Sequence, residues 1–455
     1  MHHPPARLDR REWLTRSSQA ACGLLMGSAV ASGSPLAVIG PDGEPDWQAV
    51  ARQFLIGEGL AYFNAGTYGP SVRTVNEIEA REREAMSRDW MSYFVSHHLG
   101  PTMPKHVERI ARFVGTTSDG IAILSGTTEA MNVVAGGLDL REGDEIVTTT
   151  HEHQAGIYPW LLAAKRQGCV VRQIPMACPQ QSHADILERF EAAITPRTRV
   201  LSFCHIHYTD GAVLPVRELC GLARPRGILS VVDGAQAVGM IDTRIGDLGC
   251  DVYATSLHKW LSAPYGTGLL WIRRDVQDRI WPSVVEGFDG WDTVDRYGDV
   301  PTSPGRDFVG QWPAAMQKYA WGALYFAPLI WATLGAIEFH EQLGKAQVEA
   351  RARALARRLR AGLEATPGVE VLTPADPAMS AAIVAFRAKG LVPRALSTEL
   401  RRDHRIIVRT VNHPHIGLEA CRVCTHIWNT EEQVDLLLGV LKDRMAKASP
   451  GVCLP

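Results

Sequence analysis

The sequence predicts an α/β fold, with a mostly parallel seven-stranded sheet in a large domain and a smaller α+β C-terminal domain. Three observations predict it. Between residues 121 and 272 short apolar runs alternate with stretches of helical periodicity, the pattern of strands buried on both faces and joined by helices. A chain of 455 residues exceeds what one compact core supports, so two or more domains are expected. Beyond about residue 365 the pattern changes to the strands and helices of a second, smaller unit.

Taken in order, strands are read at 121–124, 145–150, 170–175, 200–206, 228–232, 252–256 and 268–272, each an apolar run of strand length. Helices are read between them at 129–138, 158–166, 184–194 and 216–223. The Pro/Gly-rich stretch 287–310 interrupts this order as a loop. One long helical region is expected over 327–364, and the Arg/Ala run 351–360 within it reads as a solvated face. Strands then follow at 369–372, 382–387, 406–409 and 422–427, closed by a helix at 431–445. The expected division is a leader at 1–31, an N-terminal segment at 32–60, the large domain at 61–325 and the C-terminal domain at 326–455.

Composition narrows the function classes. The 47 basic and 49 acidic side chains give a formal charge of −2, with 46% hydrophobic and 21% charged residues. That excludes a disordered chain, a collagen-like fibre and a small disulfide scaffold. It also argues against nucleic acid or an anionic membrane surface as the main partner. Nine cysteines are ordinary usage at this length. Cys421-x-x-Cys424 has no second pair at zinc-site spacing, and both residues read as core thiols.

The first 35 residues read as an address. Arg10 and Arg11 stand in Asp9-Arg-Arg-Glu-Trp-Leu-Thr15, followed by a weakly apolar stretch too short to span a bilayer and a small-residue cleavage site at Ala29-Val-Ala31. The segment resembles a twin-arginine export signal. It implies the twin-arginine translocation machinery as a partner, a periplasmic location, a mature chain beginning near Ser32 and no stable membrane anchor.

The chemistry concentrates in two strand ends. Ser256-Leu-His-Lys259 closes the strand at 252–256, and Asp233 closes Ile228-Leu-Ser-Val-Val-Asp-Gly-Ala-Gln236. A lysine there lies at the carboxyl edge of the sheet, where α/β folds place ligands. An aspartate ending an apolar strand is costly to bury without a cationic partner. A lysine able to bond an aldehyde, with an aspartate facing a pyridinium nitrogen, is the arrangement that pyridoxal phosphate requires. The aspartate keeps the ring nitrogen protonated so that the ring accepts electrons from a carbanion. The lysine is displaced by the substrate amine and can then move the α-proton. Ser125-Gly-Thr-Thr-Glu129, at a strand-to-helix junction, supplies the chemistry of an anion site at a helix N-terminus. A plain N-cap is the competing reading of that segment.

Together these motifs resemble the class V branch of the fold-type I pyridoxal-phosphate enzymes, which holds cysteine desulfurases, kynureninases and isopenicillin N epimerase-like proteins. The resemblance runs over about residues 54–441. It implies Lys259 as the catalytic lysine, Asp233 as the partner of the ring nitrogen and Gln236 as a contact to the ring hydroxyl. It implies that Thr127 and Thr128, with Ser256 and His258, hold the phosphate. His153, in Thr150-His-Glu-His-Gln-Ala-Gly-Ile-Tyr-Pro-Trp160, matches the histidine that stacks on the cofactor ring. Arg422, in Cys421-Arg-Val-Cys-Thr-His-Ile-Trp-Asn-Thr430, matches the arginine that clamps the substrate carboxylate, a task suited to a bidentate guanidinium. Arg409 is expected as a secondary substrate contact. Asn64 and Gly66, in Tyr62-Phe-Asn-Ala-Gly66, match the segment lining the substrate side. Gly310-Gln311 falls where the family often has Gly-Thr reaching the phosphate of the neighbouring subunit, so a homodimer with composite sites is implied.

Three departures matter. Desulfurases of this branch carry a cysteine shortly after the strand that ends here at Arg409, but this stretch reads Thr410-Val-Asn-His-Pro-His-Ile-Gly417. Tyr208, in His205-Ile-His-Tyr-Thr-Asp-Gly211, stands where an asparagine near the ring hydroxyl is common, and Gln311 replaces the threonine. The chain looks closest to the isopenicillin N epimerase-like subgroup. The resemblance therefore implies epimerase or transaminase chemistry, through an α-carbanion, on an amino acid or the amino group of a peptide-like metabolite. Siderophore-like peptide maturation is the context it suggests. The alternatives are a C–S lyase or desulfurase-like enzyme and, in another class, a non-enzymatic cofactor-binding protein or a histidine-based metal protein. The last would draw on His151-x-His153 and His205-x-His207, but no metal site is expected because spacing alone supplies no further ligand.

Overall fold

The computed structural model describes residues 38–94, 96–97, 102–283, 316, 319, 323–413 and 416–448. The leader around Arg10 and Arg11, the 287–310 stretch and Gln311 lie outside the described residues.

A short strand, β1 (Ala61–Tyr62), precedes the main sheet. That sheet contains β2 (Ile121–Leu124), β3 (Glu145–Thr149), β4 (Val170–Ile174), β5 (Thr198–Cys204), β6 (Leu229–Asp233), β7 (Val252–Ser256) and β8 (Gly268–Ile272). The seven strands lie in the order β2-β8-β7-β6-β5-β3-β4. Pairing is parallel from β7 through β6, β5 and β3 to β4, whereas β8 runs antiparallel to both β7 and β2. The reversal has a simple cause. The connection from Ser256 to Gly268 contains no crossover helix, and a parallel return needs one. Strands β6, β7 and β8 are buried at every position, which explains why they read as unbroken apolar runs.

Helices Thr127–Gly137, Gln154–Gln167, His183–Ala193 and Val216–Ala223 cover the sheet. The second begins four residues ahead of its apolar periodicity, because His153 caps it by accepting from the Ala155 N–H. Helices Arg73–Arg88, Trp90–Phe94 and Thr102–Phe113 precede the sheet, in a region where the apolar pattern predicts no element.

The single helix expected over 327–364 is two, Ala323–Leu343 and Lys345–Glu364. Gly344 separates them at φ 80°, a left-handed conformation that terminates a helix and favours glycine. The strand expected at 406–409 also divides. Beyond β9 (Val369–Val371) and β10 (Ile383–Ala388), β11 (Ile406–Ile407) pairs in parallel with β1, and β12 (Arg409–His413) starts a new ladder. With β13 (Leu418–Cys424) these form an antiparallel sheet ordered β12-β13-β10-β9. Helix Pro393–His404 was not legible from the apolar pattern, and Glu431–Ala448 closes the chain's described part.

Two features bring the sheets to one site. The β1–β11 pairing and an Asn64–Cys424 bridge fasten the segment after β1 onto the C-terminal sheet. One continuous buried cluster includes Phe203, Val232, Leu257 and Trp260 from the main sheet's carboxyl side together with Ile383, Cys424 and Trp428. Among the described residues no helix is long and apolar enough to cross a membrane.

Candidate active site

The ends of β6 and β7 lie side by side, with Asp233 in register with Ala254, so Asp233 and the Ser256–Lys259 turn emerge together at the carboxyl edge. The local sequence enforces this. A Cβ at position 234 would stand 2.1 Å from the Tyr253 ring, so only glycine lets the chain leave β6 here. Asp233 Oδ1 accepts from the Ala235 N–H at 2.9 Å. Burial raises the Asp233 pKa, while that hydrogen bond and the Lys259 charge pull it back. Burial pushes Lys259 the other way, down to about 8, with Asp233 opposing and Arg422 reinforcing the fall. An amine in that range is a competent nucleophile and base near neutral pH.

An anion cradle adjoins the lysine. The Thr127 N–H donates to Ser256 Oγ at 3.1 Å, and the two hydroxyls lie 2.9 Å apart. Gly126 adopts φ 156°, and a Cβ there would stand 3.3 Å from both Ser256 Oγ and His258 Cε1. His258 engages the Thr267 carbonyl through Nδ1 at 2.9 Å, which leaves Nε2 available. Thr128 is exposed in the first turn of the same helix. Amine, buried carboxylate and a cradle of hydroxyl, imidazole and backbone donors fit the aldehyde, ring nitrogen and phosphate of pyridoxal phosphate.

His153 is exposed at the N-cap of helix Gln154–Gln167. Desolvation of its ring by the surrounding protein, then the Lys259 charge, push its pKa down to about 4, so it is neutral in use. Nδ1 accepts the Ala155 N–H at 3.1 Å, which pins the ring plane. Gln236 is buried beside the segment after β1, and its amide is partly committed. Nε2 donates to the Gly66 carbonyl at 3.0 Å and Oε1 accepts from Trp260 Nε1 at 2.8 Å, leaving one N–H for a ring hydroxyl.

Arg422 carries the substrate side. It is 2% exposed. Nη1 donates to the Tyr208 carbonyl at 2.9 Å, and Nη2 donates to Asn64 Oδ1 at 3.1 Å and Thr67 Oγ1 at 3.2 Å. Among the described residues no carboxylate forms an ion pair with it, and its Nε has no hydrogen-bond partner. A buried guanidinium held only by neutral acceptors is costly unless a carboxylate arrives from outside. Gly66 leaves room for that group, since a Cβ there would stand 3.1 Å from Arg422 Nη2. Arg409 is exposed on β12, directly opposite Arg422 in the ladder.

Three residues of the site escaped the sequence reading. Cys424 is fully buried, as a core thiol would be, yet its sulfur lines the site within reach of Gly66, Arg422 and the Lys259 charge. Its signal was available, since residues two apart on a strand share a face and Arg422 is two positions earlier. Glu152 is a buried carboxyl that accepts from Thr149 Oγ1 at 2.7 Å and from the Cys204 N–H at 3.3 Å. Its other oxygen and Asp233 Oδ2 both face Gly156. Burial raises the Glu152 pKa to about 7. His413 hydrogen-bonds the Tyr208 hydroxyl through Nε2. Nothing local in the sequence signals that long-range pair.

The two histidine pairs do not converge as spaced. His151 and His207, fully buried, stack instead with ring centroids 4.7 Å apart and planes at 12°, next to Asp210. Ligand atoms of His151, His207 and Asp210 lie within 4.8 Å of one another, and His151 Nε2, His207 Nε2 and Asp210 Oδ2 are buried without a hydrogen-bond partner among the described residues. Asp210 pairs with His207 Nδ1 at 3.1 Å and Thr209 Oγ1 with His151 Nδ1 at 2.7 Å.

Comparison with known proteins agrees with this geometry. Residues 84–437 match the family described as aminotransferase class-V. The isopenicillin N epimerase of Amycolatopsis lactamdurans is 34% identical over 406 residues, covering 87% of this chain and 98% of that protein. A probable cysteine desulfurase of Halalkalibacterium halodurans is 29% identical over 344 residues, covering 72% of this chain and 79% of that protein. Among solved structures, a mutant of C-DES with glycine covalently linked to its pyridoxal-phosphate cofactor superposes with a TM-score of 0.73 at 26% identity, over 86% of this chain and 98% of that one. With the α/β fold, the paired Asp233 and Lys259 and the phosphate cradle, these matches show that the chain belongs to the class V aminotransferase family of pyridoxal-phosphate enzymes.

Proposed function

We propose that the enzyme works at the α-carbon of an amino acid, or of the amino-bearing end of a peptide-like metabolite, in an epimerase or transaminase reaction. The observation that carries this is Arg422, a buried guanidinium without an acidic partner among the described residues, set beside Lys259. In this reading Arg422 clamps the substrate carboxylate, with Asn64, Gly66 and exposed Arg409 bordering it. Lys259 would bind the cofactor aldehyde and, once released by the substrate amine, would move the α-proton. Asp233 would keep the ring nitrogen protonated, neutral His153 would pack on the ring, and Gln236 would contact the ring hydroxyl. Thr127, Thr128, Ser256 and His258 hold the phosphate. Bound pyridoxal phosphate supplies the electron sink that makes the α-proton removable.

The test is to incubate the cofactor-loaded protein in deuterated water with amino acids and short peptides. Deuterium entering the α-position with inversion indicates an epimerase; release of a keto acid indicates a transaminase. Absence of both, with every amino acid and peptide tried, overturns the reading.

A C–S lyase or desulfurase reaction is the second reading. Cys424 in the site favours it, as does likeness to proteins described as cysteine desulfurases. Sulfide release from cysteine or cystine that disappears in Cys424→Ser would establish it over the first. The paired arginines Arg10 and Arg11 support export to the periplasm by the twin-arginine route, where a siderophore-like peptide is a suitable substrate. Replacement of both by lysine should then leave the protein in the cytoplasmic fraction. A homodimer sharing its phosphate sites through Gln311 completes the proposal, and sedimentation at twice the monomer mass is its test.

A further inference from the structure

The proton-exchanging groups around Arg422 fall on two flanks. Toward Nη2 lie Asn64, Thr67 and Cys424. The segment from Asn64 to Gly69 on that flank is seated on the lysine turn. Gly69 N–H donates to the His258 carbonyl at 3.0 Å, and a Cβ on Gly69 would stand 1.8 Å from the Lys259 carbonyl oxygen. Lys259 therefore belongs to this flank, where it feels the charges of Asp233 and Arg422. Toward Nη1 lies Tyr208, whose carbonyl takes that N–H at 2.9 Å. Its hydroxyl is hydrogen-bonded to His413 Nε2, and its ring meets the edge of His153 with centroids 4.9 Å apart and planes at 83°. Burial pushes the Tyr208 phenol up to about 12 against the pull of Arg422, so it carries its proton at neutral pH. The chain at Tyr208 and the segment seated on the lysine turn thus border the Arg422 guanidinium at its two ends. His153 is a poorer candidate for proton transfer, because its Nδ1 is committed to the Ala155 N–H.

We infer that Tyr208, hydrogen-bonded to His413, is a second acid–base group of this site and serves the side of the substrate α-carbon away from Lys259. The inference rests on the α-carbon reading above. Inversion at a carbon requires a proton to leave one side and another to arrive on the opposite side. In one direction Lys259 would take the α-proton and the Tyr208 O–H would deliver a proton to form the new C–H bond; pyridoxal phosphate, when bound, would supply the sink for the electron pair in between. The resulting phenolate lies beside the Arg422 charge and regains a proton through the His413 imidazole. In the other direction Tyr208, having passed its proton to the His413 imidazole, would take the α-proton and the protonated Lys259 amine would deliver one to the opposite side. One proton leaves the α-carbon and one arrives, so no oxidant or further reactant is involved. Chemistry that does not invert the carbon needs only the lysine, so the pair selects for epimerisation.

The test uses the cofactor-loaded enzyme, its Tyr208→Phe and His413→Gln variants and the double variant. Each is given the L and D forms of the standard amino acids and of γ-glutamyl dipeptides, separately, in deuterated water. Wild type is expected to place deuterium in both stereoisomers of its substrate and to interconvert them. In the variants, exchange should continue only from the stereoisomer whose α-hydrogen faces Lys259, and inversion should fall at least 100-fold. In cofactor-free protein labelled with 15N-histidine, the His413 Nε2 signal should move in Tyr208→Phe, a readout independent of turnover. Inversion at the wild-type rate in the double variant overturns the inference, as does equal loss of exchange from both stereoisomers. Keto-acid release without inversion by the wild type also overturns it, while leaving the α-carbon reading intact. A wild type that exchanges no α-proton overturns both.

Discussion

Replacing Glu152 with glutamine removes an ionisation that the fold resists. The carboxyl is 4% exposed, accepts hydrogen bonds from Thr149 Oγ1 and the Cys204 N–H, and shares its surroundings with buried Asp233. Burial lifts its pKa from an ordinary 4.5 to about 7, with the Asp233 charge adding to the rise. The folded state therefore binds this proton more tightly than the unfolded chain does. That contribution to stability is complete below pH 4.5, shrinks as pH rises toward 7 and is absent above it. At about 1.4 kcal/mol per pH unit the whole span is worth about 3 kcal/mol, of which about 2 to 3 fall between pH 5 and 8. Glutamine keeps an acceptor for the Thr149 and Cys204 donors and cannot ionise. Urea unfolding of cofactor-free wild type and Glu152→Gln at pH 5 and pH 8 gives the comparison. The variant's stability relative to wild type should rise by about 2 to 3 kcal/mol between the two pH values. Parallel pH dependences would show that Glu152 ionises freely in the folded protein and would refute the argument.

Other outcomes follow from single contacts. Arg422→Lys keeps the charge but loses the fork, so KM for the substrate should rise 10- to 100-fold while the visible band of the bound cofactor stays unchanged. Gly344→Ala forces φ 80° on an alanine between two helices, costing about 1 kcal/mol and lowering the melting temperature by about 1 °C, measurable by circular dichroism. Gly69→Ala drives a methyl group to 1.8 Å from the Lys259 carbonyl oxygen. The lysine turn must then shift, and spectrophotometric titration should show at least 10-fold weaker cofactor binding.

What could be read in advance was local. Asp233 and Lys259 end apolar strands, so strand pattern and residue chemistry together located them before any contact was known. Strand direction was less accessible, since burial on both faces looks alike for parallel and antiparallel neighbours. Only the lack of a helix between Ser256 and Gly268 marks β8 as antiparallel. The break at Gly344 was hidden because helical apolar spacing continues on both sides of it. Cys424 was legible from its two-residue spacing to Arg422, whereas the Tyr208–His413 contact joins positions 205 residues apart. Gln236 shows the limit of residue matching. Its place three residues after Asp233 was legible from the strand end, but its bonds to Gly66 and Trp260 depend on how the segment after β1 folds back.

The central claim is that Lys259 is the residue to which pyridoxal phosphate is joined. Borohydride reduction of the cofactor-loaded protein, followed by proteolysis and peptide mass spectrometry, tests it most directly. The reduced cofactor's mass is expected on the peptide containing Lys259, and no visible band in Lys259→Ala. Cofactor mass on another lysine, or an unchanged band in that variant, would contradict it.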